Sequence, residues 1–169
     1  MLKKQFLVLG LIGICFLFSC KKTASPNSEP APKYEFRQDG TLDIISPAGI
    51  KKATFAIEIA EKEEELMQGL KYRETMADNQ AMLFIFEFPD IYDFWMQDTY
   101  LPLDMLFISA DGTINYIYEK AIPFSENRIT PRSLHKYVLE VNAGLVKKFN
   151  IKTGDKITWK RHSNSMCVI

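Results

Sequence analysis

The amino-acid sequence predicts a mainly-β domain, about seven strands in a sandwich or small barrel, with two short helices. Three observations carry this. Met82 to Phe88 is an almost unbroken apolar and aromatic run, the pattern of a strand buried on both faces. Thr54 to Ala60 alternates instead, with Phe55, Ile57 and Ile59 facing in and Thr54 and Glu58 facing out, as a half-buried strand does. Asp111-Gly112 stands between two strand-like runs, Leu103–Ser109 and Thr113–Glu119, and is the strongest hairpin signal in the chain.

The remaining elements follow in order. Residues 41–46 form a short strand, set off by Asp39-Gly40 and Pro47-Ala48-Gly49. Glu61 to Tyr72 reads as a helix: Glu61, Glu63, Glu64 and Glu65 suit the positive end of its dipole, and Leu66 and Leu70 form one stripe for the sheet. The acidic group is not read as a cation site, because neighbouring helical side chains diverge. Gly69 and the polar run 73–80 end this helix. Pro89 stops the apolar strand, since proline cannot donate to a ladder.

Residues 120–136, with Pro123 and Pro131, form a long loop carrying His135, a segment of the kind that often holds function. Tyr137–Val141 returns as a strand. Ala143–Phe149 makes two helical turns capped by Asn142 and ended near Asn150. Lys156–Lys160 is the last strand, with Ile157 and Trp159 on one face.

These elements occupy a single domain, residues 34–161, in a chain of 169 residues that is 47% apolar and 25% charged. Residues 162–169, with His162, form a solvated tail. The formal net charge is zero and no Lys/Arg stripe is present, which argues against nucleic acid as a partner.

Residues 1–19 read as a lipoprotein signal peptide. Lys3 and Lys4 precede an apolar run, Phe6 to Phe18, too short to span a bilayer comfortably but suited to secretion. Leu17-Phe18-Ser19-Cys20 then resembles a bacterial lipobox, which makes Cys20 the lipidation site and the membrane a partner through that lipid. A plain signal peptide or an uncleaved anchor is the alternative. Residues 20–33 continue as the lipidated cysteine and a flexible, proline-rich tether. The expected address is the bacterial cell envelope, lipid-anchored and extracytoplasmic. Cys167 lies third from the end, one position away from a prenylation box, and reads as a tail cysteine.

Met82-Leu83-Phe84, Phe94-Trp95-Met96, Thr99, Pro102-Leu103-Asp104, Phe107-Ile108, Gly112, Pro123, Val138-Leu139-Glu140, Gly144 and Ile151–Asp155, in this order, resemble domain-of-unknown-function family 192. The match runs from about Phe55 to Trp159. The resemblance implies a compact β-rich domain, often exported or lipid-anchored, and no particular activity. The chain departs from the family pattern at Asp98, where an asparagine is usual, and at Ala81, where a glycine is. An ionised carboxylate only accepts hydrogen bonds, whereas an amide also donates.

The candidate ligand-binding set is Arg73, Trp95, Asp98, Thr99, Asp104 and Glu140. Asp104 shares strand parity with Leu106 and Ile108, so its carboxylate sits on an apolar face and needs partners. It either joins a polar pocket or accepts backbone N–H groups at a turn. Glu140 either joins that pocket or bridges Arg73 or a lysine. Asp98, beside Trp95 in a loop, reads as ligand-facing. No cofactor is expected. No metal site is expected either, because the two histidines, His135 and His162, are far apart, although His135 could act as a base. Met96 and Met105 read as core. The function so defined is binding of a small ligand or peptide at the 95–104 loop. The alternatives are a hydrolase using an acidic pair drawn from Asp98, Asp104 and Glu140, and a purely structural envelope protein.

Overall fold

A computed structural model describes residues 34–162. Residues 1–33, where the signal peptide, the lipidated Cys20 and the tether are expected, and residues 163–169 lie outside the described residues. Within them run β1 (Gly40–Ile45), β2 (Lys51–Ala60), α1 (Glu63–Gln68), β3 (Gln80–Asp90), β4 (Leu103–Ile108), β5 (Ile114–Ala121), β6 (His135–Asn142), α2 (Leu145–Lys148) and β7 (Lys156–Arg161). No helix among the described residues is long and apolar enough to cross a membrane.

The strands form one sheet in the order β5-β4-β6-β3-β2-β1-β7. It is therefore not two stacked sheets. Its edges meet at one corner: Thr113 bridges Lys156, and the Ile157 amide donates to the Gly112 carbonyl at 2.8 Å, curling the sheet towards closure. Every pairing is antiparallel except β2 with β3. A parallel pair cannot be joined by a tight hairpin, so the chain crosses one face of the sheet between them. That crossover contains α1.

Both faces are consequently buried. One carries Leu42, Ile44, Phe55, Ile57, Leu83 and Leu139, packed with Leu145, Val146 and Ile151 from the α2 region. The other carries Met82, Phe84, Met105, Phe107 and Val138, packed with Leu70, Met96 and Leu101. Each such side chain, removed fully from water, stabilises the fold by about 1.5–3 kcal/mol before entropy is counted. In β3 the expected burial on both faces holds only for Ala81–Phe84; Ile85 and Phe86 are half-buried and Glu87 and Phe88 are exposed, because the regular ladder with β6 ends after Ile85.

Several sequence expectations change in detail. Glu58 does not face solvent: it points to the second face, which the crossover covers, and is 1% exposed. Helix α1 keeps only Glu63–Gln68, with Glu65 reaching back to the Glu61 and Lys62 amides and Gly69 closing it at φ 49°. Pro89 does not end β3 but lies in an irregularity between Ile85 and Asp90, where the regular ladder is interrupted. His135 belongs to β6, not to the loop. Asn142 ends β6 and donates to the Met76 carbonyl at 2.7 Å, so it does not cap α2. His162 is anchored, its amide donating to the Asp39 carbonyl at 2.8 Å.

Candidate functional site

Register defines the site. Glu58 lies opposite Met82, Met82 opposite Glu140, and Glu140 opposite Met105. Cross-strand partners share a face, so two carboxylates and two methionines form one row on the second face. Burying a carboxylate there is costly unless something compensates. For Glu58 the compensation is Arg73, whose guanidinium grips both carboxylate oxygens, the Nη1–Oε1 contact being 2.7 Å. Tyr34 lies over that guanidinium at 5.6 Å. Glu140 has no such partner. Among the described residues its carboxyl makes no hydrogen bond or ion pair, and the residue is 5% exposed. Burial alone pushes its pKa up to about 8.

Glu140 lines a cleft of about 230 Å³ between the crossover and the sheet. Leu66 and Leu70 form the crossover side. Phe84 and Phe86 project from β3, where parity places them with Met82 on the second face, and Tyr92 and Phe94 follow β3. Phe94 stands perpendicular to Phe84 (5.3 Å between centroids, 86°) and to Phe86 (6.3 Å, 90°). Tyr92 stacks flat on Phe86 at 3.8 Å. Trp95, Thr99, Lys71 and Asp93 complete the lining relevant to polarity. Asp93 is already engaged by Arg128 at 2.7 Å and Thr130 at 2.6 Å, which hold its carboxyl below the usual carboxylate range.

Of the six candidates, Trp95, Thr99 and Glu140 meet in this cleft. Arg73 does not: it faces a neighbouring hollow with Arg37 and Tyr34. Asp98 takes a left-handed conformation, φ 57°, and binds the crossover twice, just after α1. Its carbonyl accepts the Tyr72 amide at 2.8 Å and its carboxylate accepts the Tyr72 hydroxyl at 3.0 Å. Asparagine and aspartate both tolerate that backbone region, which accounts for either residue at this position. Asp104 is 0% exposed and fully occupied by backbone. Its oxygens accept the amides of Lys120 (2.9 Å), Gly144 (2.8 Å) and Val146 (3.1 Å). It thereby supplies the α2 cap that Asn142 does not.

Glu140 does not bridge Arg73 either, because Glu58 has taken that partner. The three carboxylates Asp98, Asp104 and Glu140 face three different environments. His135 is wholly buried against Phe107, Tyr92 and Phe86, with centroids 5.0, 5.6 and 6.0 Å away. Burial lowers its pKa below the ordinary value, its Nε2 has no partner, and it does not line the cleft. No group of three His, Cys, Asp or Glu side chains among the described residues is placed to hold a metal ion.

The aromatic walls were not singled out from sequence. Their signal was available in the shared parity of Met82, Phe84 and Phe86, but nothing local shows that α1 covers that face.

The fold and cleft define a single-sheet, mainly-β domain with a covered apolar pocket. The chain belongs to domain-of-unknown-function family 192, described as Uncharacterized ACR, whose profile matches residues 45–159. No curated protein matches it. A crystal structure from Sinorhizobium meliloti 1021, of a candidate transcription regulator, is similar: 39% identity, 76% of this chain and 98% of that one, TM-score 0.70. A protein of unknown function from Novosphingobium aromaticivorans DSM 12444 is similar at 32% identity, 70% of this chain and 84% of that one, TM-score 0.67.

Proposed function

We propose that this protein is a lipid-anchored, extracytoplasmic domain that binds a small organic ligand, or a peptide side chain, in the cleft between the crossover and the sheet. One observation carries the binding reading: Glu140 is a buried carboxyl, without a partner among the described residues, that lines an apolar pocket. A pocket with apolar walls and a few aimed polar groups is the usual form of a small-ligand site. The lipid anchor rests on Lys3, Lys4, the apolar run to Phe18 and the Leu17–Cys20 motif.

An acidic-pair hydrolase is less well supported, because Asp104 is spent on three backbone amides and Asp98 on Tyr72. A purely structural role leaves the desolvated Glu140 without an account. The Sinorhizobium relative's description as a regulator points towards DNA. Zero net charge here, with described helices of six and four residues, lends that reading no weight.

The test uses phenylnaphthylamine, an uncharged probe that fluoresces in apolar surroundings. Wild-type protein is expected to raise its emission saturably, and Leu66→Trp, which fills the cleft from α1, to abolish the rise without lowering the melting temperature. Equal emission from both proteins would remove the cleft as the site. For the anchor, cells fed a fatty-acid analogue are expected to label wild type and not Cys20→Ala. Equal labelling of the two would end the lipoprotein reading.

A further inference from the structure

We infer that the ligand of this cleft is a cation, a substituted ammonium group held between the aromatic wall and the Glu140 carboxylate. The inference rests on the ligand-binding reading above and gives it a chemical class.

Ring geometry is the first argument. Phe84, Phe86, Tyr92, Phe94 and Trp95 all line the cleft, and Phe94 packs edge-to-face on Phe84 and Phe86, which fixes these rings against one another as one aromatic wall. Aromatic faces carry partial negative charge. A wall of such rings favours a cation over an anion, while a plain aliphatic wall would favour neither. Tyr92 backs Phe86, and Trp95 adds the ring type that binds cations best.

The charge census around Glu140 is the second. Its partners across the two flanking ladders are Met82 and Met105, which carry no charge. Glu58, further along the row, is neutralised by Arg73. Asp93 is bound by Arg128. Lys71, on the crossover side, is half-buried and has no carboxylate partner among the described residues; its long stem lets the ammonium turn to water. Among the described residues Glu140 is thus the one carboxyl lining the cleft that is nine-tenths buried without a charged partner. An ammonium ion supplies what Arg73 supplies to Glu58.

The proton balance follows. Before binding, the carboxyl is mainly protonated at neutral pH, since its pKa is raised to about 8. A cation alongside favours the ionised form. The Glu140 O–H bond therefore breaks on binding, its proton passes to the buffer, and the ligand enters and stays as ammonium.

The full chain would be titrated calorimetrically with choline, with its uncharged isostere neohexyl alcohol, and with the anionic analogue tert-butylacetate. Each titration is run in two buffers of different ionisation heat. Choline is expected to bind at least about tenfold tighter than neohexyl alcohol, with tert-butylacetate weakest. Its affinity should rise about tenfold from pH 7 to pH 9, with close to one proton released per cation at pH 7. Glu140→Gln should remove both the preference and the pH dependence. The proton count on wild type stands even if that variant folds poorly. N-acetyl-lysine amide binding above choline would assign the cation to a protein side chain, and the reverse order to a quaternary ammonium. Equal binding of neohexyl alcohol, preference for tert-butylacetate, or binding of none of these while phenylnaphthylamine still binds, would overturn the cation and leave the ligand-binding reading intact. Failure of phenylnaphthylamine as well would remove that reading too.

Discussion

Met82 and Met105 flank Glu140 across its two ladders, so its immediate cross-strand neighbours are uncharged. The protein keeps a carboxyl there by keeping it protonated, and that choice is measurable as a pH dependence. With a folded pKa of about 8 against an ordinary 4.5, the native state binds more protons than the unfolded chain between those limits. Stability from this group is complete below about pH 4.5, falls as pH rises, and is lost above about pH 8. At about 1.4 kcal/mol per unit, the loss is on the order of 3–5 kcal/mol. Glu140→Gln should flatten this slope, a difference read by denaturant midpoints of both proteins at several pH values. Parallel curves for the two would show that Glu140 titrates normally. Asp104 behaves oppositely, as a carboxylate saturated by three amides. Asp104→Ala leaves buried donors unpaired and should cost about 1–3 kcal/mol or more. An unchanged denaturant midpoint would mean that water satisfies those amides as well as Asp104 does.

At the scale of elements, two connections set positions that the site depends on. The β4–β5 hairpin turns through Ala110, Asp111 and Gly112 between a Ser109 amide and a Thr113 carbonyl 2.9 Å apart, with Gly112 at φ 83°. This is a three-residue loop with glycine in the left-handed position rather than the tight two-residue turn that Asp-Gly first suggests. A Cβ on Gly112 would also lie 3.0 Å from the Ile157 carbonyl, at the corner where the sheet edges meet. Gly112→Val should cost about 1–3 kcal/mol. A melting temperature unchanged within error would show that the turn absorbs the side chain. The second connection is the loop at Asp98, which holds the crossover down through Tyr72. Asp98→Asn retains both an acceptor and tolerance of positive φ and should change stability by less than about 0.5 kcal/mol, whereas Asp98→Ala should lose about 1–2 kcal/mol. Equal losses from the two substitutions would make the backbone conformation irrelevant there.

At the scale of the whole molecule, one parallel pairing decides where the site lies. Because β2 and β3 run side by side in the same direction, the chain between them must cross a face, and α1 is thereby laid over the row containing Glu58 and Glu140. The cleft is the space left between that crossover and the sheet.

What the sequence by itself determined is what adjacent residues decide. The strand character of Thr54–Ala60 and Met82–Phe88, the reversal at Asp111-Gly112, the mainly-β class and Asp104's need for partners are all written in short-range patterns of side-chain type and backbone freedom. The tertiary structure decided what depends on residues far apart in the chain. Arg73 finds Glu58 and not Glu140. Asp104 caps a helix forty residues on through the Gly144 and Val146 amides. Glu58, outward by alternation, is buried because a crossover passes over it. Ion pairs, caps and cavities form across the sheet, where separation in sequence carries no information about distance. A carboxyl therefore shows as isolated only once every neighbour's partner is known.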